Sequence, residues 1–372
     1  GETQSPVISC YINNETGRAG YRAAMDARIK EIRNVLPSDQ RLDFEHALWR
    51  IEAFLAAEVN PDAKGVALFS RGGESRFFDA LQFRLPLPNK MSVDLVPHIY
   101  ELVLLKDTYH RYVLLISTES HARIVEVSVG NATKELWTER PELRKRVGRE
   151  WTKEHYQNHH RERTQRFFKE KIEVLDRLVS TEGHTHLMLA GNPRTVARLR
   201  ASLPRRLQDK LVDVVPAAGN APTSDVVAAT LSAFAEHEAA ESLETVGLLQ
   251  NELRTGGLAV SGTEAVLEAL ARRQVDVLVL SDSYSAPDGW KCKECQHIGI
   301  DAVPRACPQC GERTIAGLDL KEELVRSAER LACTVEVVRN SDVLLEVGGV
   351  GCLLRYLTPE QRAAAHRSTD DS

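Results

Sequence analysis

Four cysteines carry the clearest chemistry in this sequence. Cys292, Cys295, Cys307 and Cys310, within KCKECQHIGIDAVPRACPQCGERT at 291–314, form a C-x2-C-x11-C-x2-C pattern. Such pairs make two knuckles, each turning its thiolates toward one point about 2.3 Å from a tetrahedral Zn2+. Gly311, directly after Cys310, suits the tight turn of a knuckle. Redox C-x-x-C pairs are the competing reading, but one such pair precedes a helix in a thioredoxin-like unit, and two in tandem do not. Four thiolates leave no open coordination position, so the expected cofactor is structural Zn2+. Cys10, Cys333 and Cys352 are isolated in apolar surroundings and read as core residues; seven cysteines so placed make no disulfide framework.

A second group lies between Arg140 and Lys171, where Arg and Lys mix with His155, His159, His160, Trp151 and Tyr156. Basic side chains on a projecting loop offer phosphate contacts, and interleaved rings offer stacking on unpaired bases. The candidate RNA-binding residues are Gln157, His159, His160, Arg161, Arg163, Arg166 and Lys169. The competing reading is a solvated, salt-bridged surface, because Glu142, Glu150, Glu154, Glu162 and Glu170 are interspersed. His155 and His159 stand at i, i+4, which would serve a metal only on a helix and with a third ligand that the sequence does not supply. The glycines of VGGVG and TGG lack the spacing of a nucleotide loop and read as turns and close packing. Ser281 and Ser283 follow a strand without nucleophile-elbow glycines. No catalytic residue is assigned.

These residues need a scaffold, and the chain is long enough for one. Its 372 residues, 42% apolar and 27% charged, can bury two or three cores. A net charge of −5 argues against wholesale nucleic-acid coating and leaves room for local patches. No run approaches the roughly 18 apolar residues of a membrane span, and GETQSPVISCYINN has no export signature, so a cytoplasmic protein with no membrane partner is expected. The fold class is α/β (mixed α+β) in three blocks. Residues 1–97 read strand, helix, helix, strand, with Phe44, Leu48, Ile51 and Leu55 on one helical stripe and Ser38 or Asp39 as N-cap of that helix. Residues 98–215 read as a hairpin (RYVLLIS, ARIVEVSV), a basic loop at 140–165, a helix from Arg161 to Val179, then the strand THLMLAGN and another helix. After PAAGNAPTS, residues 222–358 give a long Ala/Glu-rich helix and alternating strands and helices, with the cysteine ribbon inserted at 288–316 and a tail at 359–372.

The third block is where a resemblance emerges. GTEAVLEALARRQVDVLVLSD, a cysteine ribbon, a helix, TVEVV and GGVGCLLRY resemble the C-terminal domain of class-1 peptide-chain release factors and of Pelota. RTQRFFKEKIEVLDRL and LMLAGNPR resemble segments of their central domain, and the first block is loosely similar to their decoding domain. The best-resembled group is the bacterial branch of archaeo-eukaryotic release-factor-like proteins, which includes Balon-like ribosome hibernation factors. The resemblance implies a three-domain release-factor/Pelota-like architecture and a monomer that occupies the ribosomal A site as a tRNA mimic. It also implies a translational GTPase partner such as elongation factor Tu.

Departures shape the functional expectation. Release factors cleave peptidyl-tRNA with a Gly-Gly-Gln tip; aligning Arg166-Phe167 with the family's Arg-Phe places His160, Arg161 and Glu162 there. A bulky, charged tip does not make the same approach to an ester, and LPSDQR shows no match to the stop-codon-reading residues. The expectation is therefore a non-enzymatic ribosome-associated factor in hibernation or rescue. The alternative is a peptidyl-tRNA hydrolase or tRNA nuclease acting through 155–162.

Overall fold

The computed structural model describes residues 5–118, 122–139, 153–181, 184–218 and 220–358; at 135–139, 153–165 and 167 only the backbone is described. The basic stretch 140–152, with Trp151, and the tail 359–372 lie outside the described residues. The chain divides into two compact units, one of residues 1–82, 86–108 and 238–372, the other of 83–85 and 109–237. Among the described residues no helix is long and apolar enough to cross a membrane.

The first unit opens with β1 (Val7–Asn13), α1 (Arg18–Val35), α2 (Arg41–Ala57), β2 (Gly65–Arg71), β3 (Phe77–Phe83) and β4 (Lys90–Asp94). The strands form a sheet in the order β3-β2-β1-β4, with β1 antiparallel to β2 and β4. Tyr21, Met25, Ile29 and Ile32 of α1 recur at helical spacing and meet Phe44, Leu48 and Ile51 of α2 in one core over Ile8, Cys10 and Leu68. Each of these large side chains contributes about 1.5–3 kcal/mol by leaving water. The expected stripe thus faces inward, with Leu55 half-buried at its end. The expected cap is not used: the N-cap of α2 is Gln40, without a side-chain bond, because Pro37 starts a turn whose carbonyl accepts the Gln40 N–H.

A short helix that no motif announced, α3 (Tyr100–Thr108), follows. Tyr100 and Val103 pack in the core of the sheet formed by the chain's last third. Between α3 and that sheet in the chain come the elements of the second unit: β5 (Tyr112–Ser117), β6 (Ala122–Ser128), β7 (Asn131–Glu139), α4 (Lys153–Thr181), β8 (His186–Gly191), α5 (Pro193–Ser202), α6 (Arg205–Gln208), β9 (Leu211–Pro216) and the start of α7 (Thr223–Thr255). Their sheet runs β7-β6-β5-β8-β9, antiparallel on the β7 side and parallel from β5 to β9. The hairpin expected from RYVLLIS and ARIVEVSV is β5-β6, and a third strand, β7, extends it through a turn at Val129 and Gly130, both at positive φ. Phe168, Leu175 and Val179 of α4, Val196 and Leu199 of α5, and Leu207 of α6 cover one face of the sheet. Val226, Val227 and Phe234 of α7 cover the other.

The last third holds β10 (Ala259–Ser261), α8 (Thr263–Ala271), β11 (Val275–Ser281), β12 (Asp288–Cys292), β13 (Ile298–Ile300), β14 (Ile315–Asp319), α9 (Leu320–Arg330), β15 (Thr334–Val338), α10 (Asp342–Glu346) and β16 (Val350–Leu354). The main sheet is β10-β16-β11-β15, with β11 parallel to β15 across the α9 crossover and antiparallel to β16. Cys333 and Cys352 are buried in its core and Cys10 in that of the β1 sheet, as expected of them. The VGGVG glycines pack closely: Gly349 has φ 73°, and a Cβ there would stand 3.0 Å from the Tyr284 ring. Between β11 and α9 the ribbon strands form a separate sheet, β13-β12-β14. The fold is mixed α/β with a cysteine ribbon inserted after a strand end.

Candidate metal centre and basic surface

All four ribbon cysteines converge. Their sulfurs lie within 4.8 Å of one another, with Cys292 Sγ 3.6 Å from Cys310 Sγ and Cys295 Sγ 3.5 Å from Cys307 Sγ. A tetrahedron with arms of about 2.3 Å has edges of about 3.8 Å, so the quartet fits one tetrahedral ion. Each knuckle is closed the same way. The residue after its second cysteine adopts a left-handed conformation, Gln296 at φ 60° and Gly311 at φ 76°, and the chain turns back so that backbone N–H groups reach the sulfurs.

The electrostatics of the quartet suit a cation. Burial works against a Cys307 thiolate, but the N–H groups of Cys310 and Gln309 and the adjoining thiols bring that group down to about 7. The His297 N–H favours a Cys295 thiolate, yet desolvation and the three neighbouring sulfurs push that thiol up to about 12. Four anions at this spacing repel one another, and a bound divalent ion removes the conflict by deprotonating all four. Beneath the sulfurs the apolar support is small: Trp290, Cys292 and Cys307 are buried together with half-buried Ile315, and His297 meets the Trp290 ring edge-on at 5.5 Å. Lys291 does not project outward. Its Nζ donates to buried Glu323 at 3.1 Å, whereas Lys293, Arg305 and Arg313 of the ribbon are exposed.

The second group is arranged differently from expectation. Helix α4 begins at Lys153, not near Arg161, so Gln157, His159, His160, Arg161 and Arg163 lie on its first turns. No Gly or Pro interrupts 153–181, and the run is rich in Glu, Gln, Lys and Arg, which favour helix. His155 and His159 consequently do stand one turn apart on a helix. Arg166 and Lys169 are exposed, Lys169 with Glu173 3.9 Å away. Lys171, by contrast, is completely buried. Its ammonium lies 4.7 Å from the Phe168 ring centroid and donates to Ser117 Oγ at 2.8 Å and the Thr118 carbonyl at 3.0 Å. It pins α4 to the end of β5 and is not part of the exposed basic face.

A polar junction in the first unit escaped the sequence reading. Glu322, buried at the start of α9, accepts the Ile99 and Tyr100 N–H groups at 2.8 and 3.1 Å and thereby caps α3. His98 sits between Glu322 and Asp94, with Nδ1 3.6 Å from the former and Nε2 3.0 Å from the latter. Burial pushes the Glu322 carboxyl up, against the pull of His98 and the two N–H groups. Burial acts the same way on Asp94, but the His98 and Leu95 hydrogen bonds overcome it and hold that carboxyl low. Its partners are more than 220 residues apart in sequence, so no local spacing announces them.

Comparison with known proteins places the middle of the chain. Residues 97–235, which include α3 and the whole sheet of the second unit, match the model of bacterial archaeo-eukaryotic release factor family 10. This segment is similar to that release-factor family. Two curated relatives are similar to it: peptide chain release factor subunit 1 of Thermoplasma acidophilum, 28% identical over 27% of this chain and 27% of its own length, and that of Thermococcus sibiricus, 27% identical over 32% and 34%. The chain thus spans about a third or less of the curated relatives it matches. Among solved structures it is similar to Saccharomyces cerevisiae Dom34, described as a translation termination-like factor (10% identity, 80% of this chain and 81% of that one, TM-score 0.41). It is also similar to Archaeoglobus fulgidus Pelota (16%, 80% and 82%, TM-score 0.36).

Proposed function

We propose that this protein is a ribosome-associated factor that occupies the A site in the manner of a tRNA, without codon-specific peptide release, in hibernation or rescue. The match of residues 97–235 to a release-factor family supports the translational setting. The observation that carries the rest is the start of α4: where the resemblance puts a Gly-Gly-Gln tip, this chain has His160, Arg161 and Glu162 within a helix. A helical backbone has its N–H and C=O groups tied up along the axis, and bulky side chains keep it from an ester carbonyl. The cations of this helix face RNA, with Gln157, His159, His160, Arg161, Arg163, Arg166 and Lys169 as its contacts. The ribbon holds Zn2+ through Cys292, Cys295, Cys307 and Cys310 as a structural ion, and the C-terminal block, residues 222–358, meets a translational GTPase of the elongation factor Tu type. The protein acts in the cytoplasm as a monomer.

Two measurements test this. The purified protein sediments with ribosomes on a sucrose gradient, and added to complexes carrying labelled peptidyl-tRNA it releases no peptide. Protein that stays at the top of the gradient with both vacant and stalled ribosomes removes the proposal. Peptide release that is lost on Gln157→Ala or Glu162→Ala would replace it with a hydrolase. Metal content near one zinc per chain, absent in Cys307→Ser, checks the ribbon.

A further inference from the structure

A second concentration of positive charge follows α4 in the chain. From Arg194 to Lys210 the chain carries Arg194, Arg198, Arg200, Arg205, Arg206 and Lys210 against a single carboxylate, Asp209, although the whole protein has a net charge of −5. The apolar residues of this stretch, Val196, Leu199, Leu203 and Leu207, are buried in the core of the second unit. All five arginines are exposed, so α5 and α6 show solvent a face of guanidinium groups.

Most basic helices on protein surfaces carry their own counter-charges, and α1 does so through Arg22 with Asp26 and Arg28 with Glu31. On α5 and α6 two arginines are held: Arg198 lies 4.9 Å from the Phe168 ring centroid, and Arg206 pairs with Asp176 of α4. Arg194, Arg200 and Arg205 have no side-chain hydrogen bond or ion pair among the described residues. Between them Ala197, Ala201 and Ser202 are small and exposed, so nothing bulky stands over the cations. Uncompensated like charges on one face repel one another, and a polyanion laid across them relieves that repulsion while releasing its own counterions. Guanidinium forks match phosphate oxygens in pairs, and arginine keeps its charge at any working pH.

We propose that the arginine face of α5 and α6 is a docking surface for an RNA phosphate backbone, separate from the contacts at the start of α4. It gives the RNA partner of the proposed function a second surface, and its test does not depend on the ribosome.

Fluorescence anisotropy of a labelled RNA hairpin, titrated with the full chain across a salt series, tests the proposal. The triple variant Arg194→Gln/Arg200→Gln/Arg205→Gln is compared with Lys30→Gln/Arg76→Gln/Arg254→Gln, which removes the same charge from exposed sites elsewhere. Each phosphate contact adds about 0.7–0.9 to the slope of log affinity against log salt, so the first variant should flatten the slope by about 2 and weaken binding about tenfold or more at moderate salt. The second should stay within about twofold of wild type. Equal losses in both variants would mean that only net charge matters, and no loss in the first would mean that the face serves another occupant such as an acidic protein; either overturns the proposal. Circular dichroism checks that α5 persists, and glutamine, a good helix former, is chosen for that reason. Ribosome sedimentation of the same variant separates the two readings: unchanged RNA affinity with intact sedimentation sinks the α5–α6 surface alone.

Discussion

The ribbon and the sheet it interrupts belong to one stretch of chain but are held together by different physics. The β10-β16-β11-β15 sheet buries Leu278, Leu280, Leu324, Val325 and Ala328, with little or no surface left to solvent, in a core shared with α3, α8 and α9. The ribbon's buried cluster is Trp290 and two cysteines, with Ile315 packed against it. So small a core does not offset the entropy of ordering some thirty residues, roughly 1–2 kcal/mol for each backbone. The sheet is therefore stable by burial, and on the proposed zinc site the ribbon is stable by coordination, so the two should respond differently to a chelator.

The sharpest way to break this contrast is to remove the metal. Structural zinc sites in small folds carry apparent binding energies of about 10–16 kcal/mol, and that energy is folding energy. Treatment with a strong chelator, or Cys307→Ser, should abolish hydrogen-exchange protection from Trp290 to Ile315 while β11 and β15 keep theirs. Retained protection in the ribbon would mean that its apolar cluster suffices, and the contrast would be gone.

A smaller effect belongs to the sheet's own polar support. Glu322→Ala leaves the N–H groups of Ile99 and Tyr100 without their acceptor and His98 with one carboxylate fewer. A buried donor left unsatisfied costs about 1–3 kcal/mol, so a loss of about 2–4 kcal/mol is expected in urea unfolding, with Glu322→Gln recovering part of it because its amide oxygen still accepts. Chelator resistance of the ribbon should not change. If both variants unfold like wild type, α3 is held by Tyr100 and Val103 alone.

What could be read from the sequence follows the same division. The convergence of the four cysteines was visible because they are close in sequence and their chemistry admits few uses. Helix stripes such as Phe44, Leu48 and Ile51 were visible because burial imposes a local period. Strand β7 was not, since NATKELWTE alternates weakly, and the start of α4 was misplaced because charged helix formers give no apolar stripe to mark it. The Glu322 cap on α3 was invisible in principle: it joins residues more than 220 positions apart, and neither partner's neighbours reveal the meeting. The arginines of α5 and α6 stood in plain view as PRTVARLRASLPRR, but their significance required knowing that Arg194, Arg200 and Arg205 meet no carboxylate among the described residues.

The smallest effect is the most discriminating. Trp290 lies on the central ribbon strand, opposite Gly299 on β13 and Gly317 on β14. The two glycines look equivalent in the sequence, yet a Cβ on Gly299 would lie 2.2 Å from the indole ring, whereas one on Gly317 would meet nothing within 4 Å. The indole leans over one neighbour only, and its displacement would disturb the strand that carries Cys292. Gly299→Ala should therefore weaken metal binding about tenfold, or about 1.4 kcal/mol, in chelator competition, a typical cost of overpacking. Gly317→Ala should leave affinity within about 0.5 kcal/mol of wild type. Equal behaviour of the two would show that the Trp290 cluster does not shape the metal site, and that the thiolates and their backbone N–H groups define it unaided.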